Sequence, residues 1–143
     1  MTGASSGPSE KLYSPSLLAL AASLADYPLT DDFALLGEGR SRTCGSTIAI
    51  GLEPDGEGRI TRIGMQVAAC AVGQSSAAIL AGGIGGRSRD DLAAAARGIE
   101  AWLEGAGDLP DWPGIGALTP ARDHPGRHGA LLMPWKAALD ALS

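Results

Sequence analysis

The sequence predicts an α+β fold: a small antiparallel sheet, made of a hairpin plus an edge strand, packed against several α-helices. Three observations predict it. Thr47–Leu52 and Ile60–Val67 are rich in Ile, Thr and Val, and the Pro/Asp/Gly cluster Pro54-Asp55-Gly56-Glu57-Gly58 between them reads as the long turn of a β-hairpin. The rest of the chain carries apolar residues at helical spacing. Finally, aromatic residues make up only 4% of a chain that is 45% hydrophobic, so Ala-rich helices must pack closely on the sheet.

Along the chain, Met1–Ser9 is small and polar and reads as a loose tail. Leu12–Leu24 suits a helix, with Ser14 as N-cap and Pro15 in its first position. Asp26–Asp32, with Pro28, ends it. Phe33–Leu36 and Arg40–Thr43, punctuated by Gly37 and Gly39, read as connectors or an edge strand. In the second arm of the hairpin Ile63, Met65 and Val67 share one parity, and hence one face.

After the hairpin, Ala71–Ala81 reads as a helix opened by Cys70 and stopped by Gly82–Gly86. That glycine run lacks the Lys-Ser/Thr of a phosphate loop. Ser88 caps a further helix, with Asp90 and Asp91 at its positive end and Leu92, Ala95, Ile99, Trp102 and Leu103 as its buried stripe. Asp108–Gly126 is rich in Pro and Gly, with one helical turn expected at Ile115–Leu118. Arg127–Leu142 closes the chain as a helix in which Pro134 predicts a kink or a start near Met133. With 143 residues and no repeats or linkers, residues 1–143 are expected to form a single domain, with 1–10 as its tail.

The net charge of −5 and pI near 4.8 argue against nucleic acid as a main partner. No run of apolar residues is long enough for a membrane span. The chain does not open on a basic region followed by an apolar stretch, so a cytoplasmic location is expected, where thiols stay reduced.

The chain has two cysteines: Cys44 just before the first hairpin strand and Cys70 just after the second. Folding the hairpin brings both to its open end. Metal ligation, a disulfide and simple packing all remain open from this placement, with the disulfide weakest. Cys70 precedes a helix, whose free N–H groups favour a thiolate. Tetrahedral zinc or an iron–sulfur cluster needs four ligands, and the further candidates are His128, His124, Ser46 and Asp123. His124 and His128 are four apart, but Pro125-Gly126 argues against one regular helix face. On spacing alone, two distant cysteines are more often buried small hydrophobes than ligands.

The order of these features resembles the NifU/IscU/SufU-type iron–sulfur cluster assembly scaffolds. Members of that family carry Cys-Gly-Asp at the start of a hairpin, and a second Cys after it followed by a small-residue run ending in Ser. Cys44-Gly45-Ser46 and Cys70-Ala71-Val72-Gly73-Gln74-Ser75-Ser76 occupy those places here. The Leu12-Tyr13 helix, the glycine stop before a Ser-capped helix, and Asp111-Trp112 to Leu118, similar to an insertion of the SufU branch, extend the likeness over most of residues 12–142. Two departures stand out. The family aspartate is Ser46, and aligning Arg127 and Trp135 on the SufU C-terminal pattern puts Ala130 where a third cysteine belongs, with His128 two residues before it; shifting the match by one residue puts Gly129 there instead, and the cysteine is missing either way.

The resemblance implies a non-enzymatic scaffold-like protein that binds iron, zinc or a nascent iron–sulfur cluster through Cys44 and Cys70, with His128 as third ligand. It further implies a cysteine desulfurase and cluster-accepting proteins as partners, and it leaves room for a homodimer. The alternative is an interaction or regulatory module of cluster assembly that has lost the metal site. An enzyme with Cys70 as nucleophile and His128 as base ranks last, because no motif supports it. Trp102, Trp112 and Trp135 read as core and insertion packing.

Overall fold

The computed structural model describes residues 14–41 and 45–143. Leu12, Tyr13 and the expected tail lie outside the described residues, as does Cys44.

The first helix, α1, runs Pro15–Ala22 and continues as a 3-10 turn through Asp26. Ser14 is its N-cap: the hydroxyl accepts from the Leu17 N–H at 3.2 Å, and Pro15, which has no N–H to leave unpaired, takes the first position. Three antiparallel strands follow in the order β1-β2-β3: β1 Leu35–Arg40, β2 Thr47–Pro54 and β3 Ile60–Ala68. The β2–β3 hairpin has the long turn that its sequence predicts. The Asp55 carboxylate accepts from the Glu57 and Arg59 N–H groups at 2.8 and 3.0 Å, and Gly58 supplies a left-handed residue at φ 80°. These two backbone hydrogen bonds, that from Arg59 first, hold the Asp55 carboxyl below its ordinary range.

The expected edge strand is present, and what changes is the part its glycines play. Gly37 and Gly39 do not punctuate a connector; they lie inside β1, opposite Ile50 and Ile48. The last helix, α4 (His128–Ala141), comes so close beneath β1 that a Cβ at Gly37 would lie 2.6 Å from the Ala141 nitrogen. Glycine here makes room for a helix backbone. The other sheet face is crossed by Phe33, whose ring covers Gly51 and Gly64, while the Arg62 guanidinium stacks 4.0 Å from the ring centre.

Helix α2 (Ala71–Gly83) is buried on nearly every side from Val72 to Ala81, apart from Gln74. Its small residues let neighbouring helices approach, and two adjacent hydroxyls bind them. Ser75 Oγ donates to the Leu17 carbonyl in α1 at 2.7 Å, and Ser76 Oγ donates to the Leu131 carbonyl in α4 at 2.6 Å. The Ser88-capped helix α3, Arg89–Leu103, has a full capping box with Asp91, and buries Leu92, Ala95, Ala96, Ile99 and Trp102. Leu103 is only half-buried.

The Pro/Gly-rich stretch is more helical than the sequence suggests. A 3-10 segment spans Ile115–Asp123 and a second turn spans Pro125–Arg127. The three tryptophans are core residues as expected: Trp112 donates its indole N–H to the Ile79 carbonyl at 2.8 Å and meets Trp135 edge-on at 4.8 Å. Helix α4 does not start near Met133; it runs through Pro134, which is buried within it. A helical proline removes one ladder bond and loosens the carbonyls of the preceding turn. The carbonyl that Pro134 leaves without its ladder donor is that of Ala130, next to the Leu131 carbonyl that Ser76 binds.

Candidate metal centre

Three chain segments start at one end of the molecule. The β2–β3 register pairs Thr47 with Ala68, so Ser46 and Gly45 enter β2 beside the place where Ala69 and Cys70 leave β3. Cys70 is the N-cap residue of α2, half-buried, and its thiol makes no capping hydrogen bond.

Helix α4 runs alongside α2 in the same direction. A Cβ on Gly73, three residues into α2, would lie 3.4 Å from the Ala130 carbonyl and 3.5 Å from its Cβ. One turn later Ser76 reaches both Leu131 and the Trp135 indole. The N-termini of α2 and α4 therefore sit at the same end, one opened by Cys70 and the other by His128. Two helix N-termini side by side make that end favourable for negative charge, such as a thiolate or an anionic cluster.

His128 is half-buried, and its Nε2 lies 2.8 Å from the Arg122 carbonyl oxygen. Arg122 lies in the last turn of the 3-10 segment, and its guanidinium lies 5.7 Å from the centre of the Trp102 ring. His124 sits in the break between the two 3-10 turns, with non-helical backbone (φ −121°, ψ 81°). The pair therefore does not occupy one helix face, as the intervening Pro-Gly predicts. Asp123 is exposed on the same stretch.

Ser46, in the place of the family aspartate, is buried, and its carbonyl accepts from the Ser41 N–H at 2.9 Å. Ala130 is fully buried against α2. Of the three residues that the sequence nominates, Cys70 and His128 come to the same end of the fold, and Cys44 lies outside the described residues. Among the described residues, no three His, Cys, Asp or Glu side chains gather to hold a metal ion. The available donors, soft sulfur and imidazole, still suit zinc and iron–sulfur chemistry.

What sequence reasoning missed here is the Arg122 carbonyl. A backbone oxygen carries no residue-type signal, and it reaches His128 through the 3-10 segment that composition alone did not reveal.

No family model matches the sequence, and neither does any curated protein. Solved structures do match. The chain superimposes on a nitrogen-fixing NifU-like protein (N-terminal) from Brucella abortus with a TM-score of 0.84 and 25% identity, covering 95% of each chain. It superimposes on a putative iron–sulfur cluster assembly scaffold protein for the SUF system from Fervidobacterium islandicum with a TM-score of 0.80 and 18% identity, covering 92% of this chain and 97% of the other. The resemblance read from ordered sequence features is thus matched by the fold along nearly the whole described chain. No helix among the described residues is long and apolar enough to cross a membrane.

Proposed function

We propose that this NifU/SufU-like chain is an iron–sulfur cluster assembly scaffold-like protein, holding iron, zinc or a nascent cluster as cargo at the end where β2, α2 and α4 begin. The observation that carries this reading is the parallel alignment of α2 and α4, which opens one on Cys70 and the other on His128 at the same end. Cys44, which directly precedes Gly45, would supply the second thiolate. A fourth position would be filled by water or by a partner's side chain. The fold neighbours support a scaffold role, and with it a cysteine desulfurase as sulfur source, cluster-accepting proteins downstream and a cytoplasmic setting. No step in this role requires the chain to act as an enzyme.

A specific observation favours a second reading. Ala130 is buried where the third cysteine of the SufU pattern would stand, and Ser46 replaces the family aspartate. A chain with so few donors would act as a docking or regulatory module of cluster assembly. Loss of one ligand weakens a metal site severely, so the two readings separate on metal content. Purified protein and its Cys44→Ala, Cys70→Ala and His128→Ala variants are analysed by mass spectrometry after loading with zinc or iron(II). The scaffold reading expects weak binding that Cys70→Ala abolishes. Equal metal in all four proteins leaves the docking module.

A further inference from the structure

We infer that the outer edge of β1 is a docking strand for an extended segment of a partner protein, one with an acidic, a basic and an apolar residue at alternate positions. The sheet order β1-β2-β3 leaves β1 paired on one side only, among the described residues. One bond fixes which way its edge groups point. The Glu38 N–H donates to the Asp140 carboxylate of α4 at 3.2 Å, so it points away from β2. Strand alternation turns the N–H and C=O groups of Leu36 and Arg40 the same way. Among the described residues, neither uses that edge to bond another segment. The Asp140 carboxylate thus stands where the carbonyl of a further strand would stand. It is exposed, and a backbone acceptor can take its place.

The side chains of this edge define the segment that fits it. Gly37 and Gly39 face α4, so Leu36, Glu38 and Arg40 project from the opposite face. All three are exposed there, Leu36 by 66%. An antiparallel strand complements them with an acidic residue opposite Arg40, a basic one opposite Glu38 and an apolar one opposite Leu36. A second copy of this chain does not fit. Helix α4 lies directly beneath β1, its backbone against Gly37 and Gly39. Pairing two β1 strands about 4.8 Å apart would force two α4 helices well inside the roughly 8–10 Å that packed helices keep. A lone extended segment brings no such helix with it.

The probe is a fluorescein-labelled peptide, Thr-Asp-Thr-Lys-Thr-Val-Thr, followed by fluorescence anisotropy and by amide hydrogen exchange of the protein. It should bind wild type and slow exchange at the Leu36 and Arg40 amides. Methylating the backbone nitrogen of its lysine removes the donor to the Glu38 carbonyl and should abolish binding. A peptide with Asp and Lys exchanged should bind about fivefold more weakly, or worse. On a Glu38→Arg/Arg40→Glu protein that preference should reverse. Asp140→Ala should bind the parent peptide more tightly than wild type, because no carboxylate then competes for the Glu38 N–H.

No binding by the parent peptide, or equal binding after methylation, overturns the proposal. So does a charge preference that the double substitution leaves unchanged, or exchange protection that falls outside β1. Dimerisation of the protein that the parent peptide competes away would make a second copy the occupant, and that also overturns it. Weaker peptide binding by Asp140→Ala overturns the place given to that carboxylate.

Discussion

Replacing Ser76 by alanine tests the contact that aligns α2 and α4. Ser76 Oγ donates to the Leu131 carbonyl at 2.6 Å and accepts from the Trp135 indole N–H at 2.9 Å, and both Ser76 and Trp135 are fully buried. Ser76→Ala removes both bonds, each worth about 1 kcal/mol net. It also leaves the indole N–H without an acceptor in a dry core, which costs about 1–3 kcal/mol. Part of this is returned because the serine hydroxyl no longer has to be buried, so the expected loss is about 2–4 kcal/mol. Urea unfolding followed by tryptophan fluorescence measures it, since all three tryptophans are buried. A double-mutant cycle with Trp135→Phe isolates the indole bond. In the phenylalanine background Ser76→Ala should cost about 1–2 kcal/mol less, because no N–H is left stranded. A loss below about 0.5 kcal/mol for Ser76→Ala, or strict additivity in the cycle, would refute this account of how α2 and α4 are held in register.

Two further predictions concern stability. Gly37→Ala drives a Cβ into the α4 backbone near Ala141 and should destabilise by about 1–3 kcal/mol, whereas Gly82→Ala in α2 meets nothing within 4 Å and should gain about 0.5–1 kcal/mol; paired urea titrations check both. At the α3 cap, the Ser88 backbone N–H bonded to the Asp91 carboxylate, followed by the Ser88 side chain, lowers that carboxyl from its ordinary 3.8. The unfolded chain therefore takes up the proton first. The contribution of Asp91 is complete above 3.8 and is lost as the pH falls through the lower folded value. The difference in urea midpoint between wild type and Asp91→Ala should shrink over that acid range, and Ser88→Ala should cost about 0.5–2 kcal/mol at neutral pH.

Much of the fold was legible because the determinants are local. The hairpin announced itself through β-branched arms about a Pro-Asp-Gly turn, and Asp55 does bind that turn. Ser14 with Pro15, and Ser88 with Asp91, are sequence-readable caps that the structure keeps. The glycines of β1 were misread because a glycine that ends a strand and a glycine that admits a helix look alike in one dimension. Their shared parity, two residues apart, was the available signal: both lie on the face that α4 covers. Pro134 misled for a similar reason, since a proline that opens a helix and one buried inside a helix look alike in one dimension.

At the candidate site, residue type told which side chains have metal-binding chemistry, and hairpin geometry told why the entry to β2 and the exit of β3 share one end. Sequence by itself therefore determined the α+β class, the caps and the turn, because each follows from local conformational preference. Tertiary structure alone decided that α2 and α4 lie parallel, that Ala130 packs against Gly73, and that the His128 ring meets the Arg122 carbonyl. Those outcomes depend on close approach between segments about 60 residues apart and on a backbone carbonyl, and neither leaves a mark in the order of the amino acids.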